Sequence, residues 1–204
     1  MKKLLFLSML FISVSAFAQK NLPSKKIQLS GGYSRTGSGD MPGYMYGAEY
    51  AKYFKKKTSW AVGFNGFIYD GSESLFSSSD PNKRSNGKMR YTTAGLQINS
   101  HLGISIIRNK FHELQFRLGA LVKYQSASID GYAITYPVAT NYPEPVVTFY
   151  NYNPQRTIAA GGSVQVAYNY TIKNKISIGF LGGVQTDSEG DLIYQTGLTF
   201  GRKF

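Results

Sequence analysis

The feature that most constrains this chain is a two-residue alternation of apolar and small polar side chains, repeated eight times after residue 25. It is clearest over residues 111–125. Leu114, Phe116, Leu118, Ala120, Val122 and Tyr124 take one face there, against Glu113, Gln115, Arg117, Gly119 and Lys123. Residues 89–107 repeat it, with Ala94, Leu96, Ile98, Leu102, Ile104 and Ile106 opposite Tyr91, Gly95, Gln97, Asn99 and His101. Side chains switch face at every residue of a strand, and no helix fits that period. The pattern extends over 25–37, 44–54, 58–69, 157–171, 176–185 and 192–204. Roughly 9–11 tilted residues carry a strand across a bilayer, and eight is an allowed even strand count.

The connections alternate in length. Those near 55–57, 108–110 and 173–175 are short, whereas 70–88 and 126–156 are long. Short turns at one end and long loops at the other are the mark of transmembrane barrels, with the short side periplasmic. An even strand count returns both termini to that side. The polar face is mostly Gly, Ala, Ser, Asn, Gln and Thr, which suits the crowded interior of a narrow barrel. The apolar face places Tyr33, Trp60, Tyr124, Tyr168, Tyr170 and Phe204 near strand ends, where interfacial aromatic girdles belong. The expected fold is all-β: an eight-stranded antiparallel up-and-down transmembrane β-barrel with its apolar face outward.

The start of the chain reads as an export signal. Lys2 and Lys3 precede a largely apolar stretch over 4–14, and Ala16-Phe17-Ala18 supplies a small-x-small cleavage pattern. Residues 1–18 are therefore expected to be a cleaved secretory signal and 19–204 the barrel domain, in the outer membrane of a Gram-negative-type cell. The sequence has no cysteine, which rules out disulfides, a thiolate metal site and lipid attachment at the cleavage point. Net charge is +12. Without Lys2 and Lys3, 23 − 2 = 21 basic residues face 11 acidic ones. Thirteen of those bases fall at the short-turn end: Lys20, Lys25, Lys26, Lys52, Lys55, Lys56, Lys57, Arg108, Lys110, Lys173, Lys175, Arg202 and Lys203. Nine acids fall at the long-loop end: Asp40, Asp70, Glu73, Asp80, Asp130, Glu144, Asp187, Glu189 and Asp191. This sorting points to a basic rim matched to anionic headgroups rather than to nucleic acid.

The chain ends Leu198-Thr-Phe200-Gly-Arg202-Lys-Phe204. On that ending and the alternation it resembles the small outer-membrane barrels of the OmpA-transmembrane-domain and OmpX type, with Arg202 departing from strict apolarity. The resemblance implies that Phe204, Phe200 and Leu198 form an assembly signal for the outer-membrane barrel insertion machinery. It further implies contact with outer-membrane lipids and lipopolysaccharide, with envelope proteins as possible partners.

Candidate chemistry is sparse. By parity Glu49, Glu113, Arg117, Lys123 and His101 face the lumen as a polar network, with Glu49–Arg117 and Glu113–Arg117 the plausible pairs. Ser105 lies four residues after His101, but no nucleophile–base spacing of a lipid hydrolase is present. Asp187-Ser-Glu189-Gly-Asp191 offers oxygen ligands without a full calcium-loop pattern. The loop 126–156 carries Tyr132, Tyr136, Tyr142, Phe149, Tyr150 and Tyr152 among prolines, a composition suited to external recognition. No catalytic residue, metal or cofactor is expected. The leading expectation is a non-enzymatic barrel supporting outer-membrane organisation or surface contacts. The alternatives are a narrow pore and a lipid-modifying barrel enzyme.

Overall fold

A computed structural model of the chain describes residues 22–37, 41–76, 86–128, 130–135, 146–151, 154–173 and 175–204. The expected signal segment lies outside them. Among the described residues ten strands form: β1 (Lys25–Thr36), β2 (Pro42–Tyr53), β3 (Thr58–Phe76), β4 (Asn86–Arg108), β5 (His112–Ala127), β6 (Asp130–Thr135), β7 (Val146–Asn151), β8 (Gln155–Ile172), β9 (Ile176–Asp187) and β10 (Leu192–Lys203). Eight of them close into one antiparallel up-and-down barrel, each beside its neighbour in sequence except where the β6–β7 hairpin interrupts β5 and β8. β10 returns to β1 with Leu29 opposite Phe200.

The alternation decides which face goes where. Arg117 is 3 % exposed and Leu118 is 59 % exposed. The same contrast holds between Gln28 and Leu29, and between Thr199 and Phe200. The barrel is thus apolar outside and polar inside, the inverse of a soluble protein and the arrangement of a membrane barrel. An apolar cluster of Met45, Phe67, Tyr69 and Ile193, with Met41 against it, nevertheless fills the lumen toward the long-loop end.

Three features depart from the simple alternation. A β-bulge shifts the β4–β5 register between Ser105 and Ile107, so Ile106 and Ile107 both face outward. One extra residue reverses parity beyond it, and Arg108 comes to sit opposite Glu113. β3 and β4 also run longer than expected. Their pairing continues from Asp70 opposite Thr92 to Phe76 opposite Asn86, a ribbon carried beyond the strands' common length. Finally, the segment expected as a plain loop contains the β6–β7 hairpin, with Asp130 opposite Asn151 and Thr135 opposite Val146.

Candidate functional site

The lumen is filled in three polar tiers. At the short-turn end Glu113 is fully buried. Its carboxylate lies 3.1 Å from Lys203 Nζ, 3.7 Å from Arg108 Nε and 3.9 Å from Lys26 Nζ. Arg108 is itself fixed: its guanidinium lies 3.7 Å from the Tyr53 ring centroid and donates to the carbonyls of Lys56 (2.8 Å) and Pro23 (2.6 Å). Two expectations are corrected here. Glu113 does not pair with Arg117, which is two residues further along the lumenal face. Lys26, Arg108 and Lys203 do not belong to the external basic rim, because parity turns the two lysines inward and the bulge turns Arg108 inward.

The middle tier joins Glu49 on β2 to Arg117 on β5 by a direct ion pair. Gln28 Nε2 donates to Glu49 Oε1 at 2.9 Å, and Arg117 Nη1 donates to Gln165 Oε1 at 3.3 Å. Beside it, His101 Nε2 is 3.0 Å from Ser163 Oγ, and His101 Nδ1 is 3.6 Å from Glu49 Oε2. The order serine–histidine–carboxylate is that of a hydrolytic triad, and sequence spacing gave no hint of it, because Ser163 lies 62 residues from His101. The surroundings do not suit that chemistry. The adjoining cavity has about 30 Å³, room for a water or two but not for an ester. Glu49 is moreover already held by Arg117. The arrangement fixes the lumen; it does not present a nucleophile to a substrate.

At the long-loop end, Lys123 Nζ sits 2.6 Å from Asp187 and 2.9 Å from Asp191. The acidic stretch 187–191 is therefore already neutralised in part by an internal ammonium, and Lys123 occupies the place a divalent cation would need. Among the described residues no group of three potential metal ligands forms. Between the tiers, Gln97 and Gln185 exchange reciprocal amide hydrogen bonds at 3.3 and 3.1 Å. Gln115 Nε2 donates to Ser59 Oγ at 2.7 Å. Among the described residues the lumenal charges are thus five cations (Lys26, Arg108, Arg117, Lys123, Lys203) against four carboxylates (Glu49, Glu113, Asp187, Asp191). Near-balance is what buried charge requires.

Outside the barrel, Arg90 grips Asp70 through two nitrogens, at 2.8 and 2.5 Å. That hydrogen bonding holds the Asp70 carboxyl below the ordinary aspartate range. Of the six recognition-loop aromatics, Tyr136, Tyr142 and Tyr152 lie outside the described residues. Tyr132 is paired with Phe149 in the β6–β7 register, and Tyr150, opposite Gly131, is exposed. Leu198, Phe200 and Phe204 all lie exposed on the outer wall of β10 and its end.

No protein-family model matches this sequence, and no curated protein matches it. By fold the chain is similar to small eight-stranded outer-membrane barrels. Ail, the attachment invasion locus protein of Yersinia pestis, superposes with a TM-score of 0.53 at 11% identity, over 90% of this chain and 100% of that one. Its complex with the heparin analogue sucrose octasulfate gives 0.52 at 11% identity, over 90% and 100%. Neisserial surface protein A gives 0.51 at 12% identity, over 88% of this chain and 97% of its own. At such identities the likeness concerns the fold.

Proposed function

We propose that this chain is an integral, non-enzymatic outer-membrane protein that acts through its long-loop end rather than through its lumen. In this reading the short turns and both chain ends face the periplasm, and Phe204, Phe200 and Leu198 present the assembly signal. The observation that carries it is the crowded lumen: among the described residues three charged tiers, an apolar cluster and paired glutamines occupy the barrel interior. The prolonged β3–β4 ribbon and the β6–β7 hairpin, by contrast, carry backbone beyond the barrel strands, with Tyr150 exposed. Loops on a rigid scaffold are where binding surfaces are usually built. Ail, with a heparin analogue bound in one structure, shares the fold, but function resides in sites and not in folds. The recognition surface is therefore assigned from this chain's own ribbon and hairpin.

Planar-bilayer recording of the purified protein tests the reading. The expected trace shows no stepwise conductance. Well-defined steps that change with Arg117→Ala would show instead that the lumen is a gated path, which is the narrow-pore alternative. Deleting residues 130–152 is expected to leave the barrel inserted while weakening binding to envelope components or surfaces.

A further inference from the structure

The short-turn end splits its cations between two jobs. Lys25-Lys26 begins β1 and Arg202-Lys203 ends β10, so each pair puts one charge inside and one outside. The inward members, Lys26 and Lys203, are buried against Glu113. The outward members, Lys25 and Arg202, are exposed, as is Lys52 on β2. Lys25 and Lys52 stand directly opposite one another in the β1–β2 register. Directly opposed strand residues hold their Cβ atoms about 5 Å apart, and like charges so placed repel. Arg202 is paired with Ile27, two positions along β1 on the same outer face. Among the described residues none of the three has a carboxylate partner. Among the described residues Glu113 is the only acidic side chain at this end, and it faces the lumen.

Depth and rigidity identify what would relieve that repulsion. Lys52 is in register with Trp60, and Tyr50, Phe54 and Phe204 lie exposed around the cluster. Aromatic side chains of this kind sit at the headgroup level of a bilayer. The backbone beneath is tied. Lys25 N donates to Phe204 O at 3.1 Å, Phe204 N to Lys25 O at 2.9 Å and Tyr53 N to Ser24 O at 2.8 Å. The three cations therefore project from a fixed seam where β10 meets β1 and β2, at the level of phosphodiester groups.

We infer that Lys25, Lys52 and Arg202 form a binding site on the outer wall for the headgroup of an anionic phospholipid of the adjoining leaflet. This rests on the membrane-inserted reading above. The lysine-rich turn 55–57 supplies a second, looser ring of positive charge, whereas the trio is held by strand pairing. A basic residue near a membrane surface attracts anionic lipid by roughly fivefold in local concentration.

Trp60, the single tryptophan, is a reporter beside the site. The protein is reconstituted into vesicles mixing phosphatidylglycerol and phosphatidylcholine, with one or the other brominated on the acyl carbons nearest the headgroup. Quenching of Trp60 then measures which lipid occupies the adjoining shell. Brominated phosphatidylglycerol is expected to quench as though enriched about fivefold or more over its bulk fraction. The Lys25→Gln/Lys52→Gln/Arg202→Gln variant should fall to the bulk fraction, and Lys25→Arg/Lys52→Arg/Arg202→Lys should retain the enrichment. Equal quenching by both brominated lipids, or enrichment unchanged in the glutamine variant, would overturn the site while leaving insertion intact. Failure of the wild-type protein to sediment with the vesicles after urea extraction would instead overturn the membrane-inserted reading and the site with it.

Discussion

At the scale of single residues, the short-turn tier around Glu113 is the most exacting part of the molecule. Glu113 faces three cations in a space closed to solvent, so Glu113→Gln leaves positive charges with no counterion. Breaking a buried pair by removing one partner costs about 3–5 kcal/mol, and a loss of that order is expected in urea unfolding from vesicles, followed by Trp60 emission. Asp70 behaves differently, because it is exposed. Arg90 depresses its pKa on folding, so the pair's contribution is present above the ordinary aspartate pKa and disappears as pH falls through the depressed value. A carbon-detected NMR titration should find the Asp70 carboxyl below its usual range, and Arg90→Gln should return it there. The residue scale is also where sequence reading lost its hold. Parity places Glu49, Glu113, Arg117, Lys123 and His101 inside, and they are inside. It cannot foresee a one-residue bulge at Ile106, and the bulge is what delivers Arg108 to Glu113. Nor does spacing reveal that Ser163 meets His101, a contact made only when β4 and β8 curve around the same lumen.

At the scale of elements, the closing seam between β1 and β10 is set by two facing glycines. Gly32 lies opposite Gly197 in the ladder. A Cβ on Gly32 would stand 2.1 Å from the Thr196 carbonyl oxygen, whereas one on Gly31 meets nothing within 4 Å. Gly31→Val should therefore be tolerated on the outer wall. Gly32→Val should force the strands apart and reduce the yield of folded, inserted barrel, as read by protease resistance in vesicles. The eight barrel strands were legible because hydrocarbon outside and polar groups inside impose the period-two code on every one of them. The β6–β7 hairpin was not legible. Its strands need only satisfy each other's backbone groups in water, so no alternation marks them. Residues 70–76 of β3 and 86–88 of β4 escaped for the same reason, since beyond the apolar belt the sequence carries no two-residue contrast.

At the scale of the whole molecule, charge is sorted along the barrel axis both inside and out. The short-turn tier has three cations for one carboxylate, the middle tier is an ion pair, and the long-loop tier has one cation for two carboxylates. The exposed lysines of the short turns and the acids of the loop end follow the same sense. That polarity matches a molecule with one fixed orientation in a membrane whose two faces differ. It depends throughout on hydrocarbon wetting the apolar wall. The chain has no cysteine, so single cysteines can be placed at each position from 114 to 122 and spin-labelled in vesicles. Oxygen accessibility should peak at Leu114, Phe116, Leu118, Ala120 and Val122 and fall at the positions between them. Greater access to a water-soluble relaxation agent than to oxygen at those same five positions would contradict the membrane-facing wall directly.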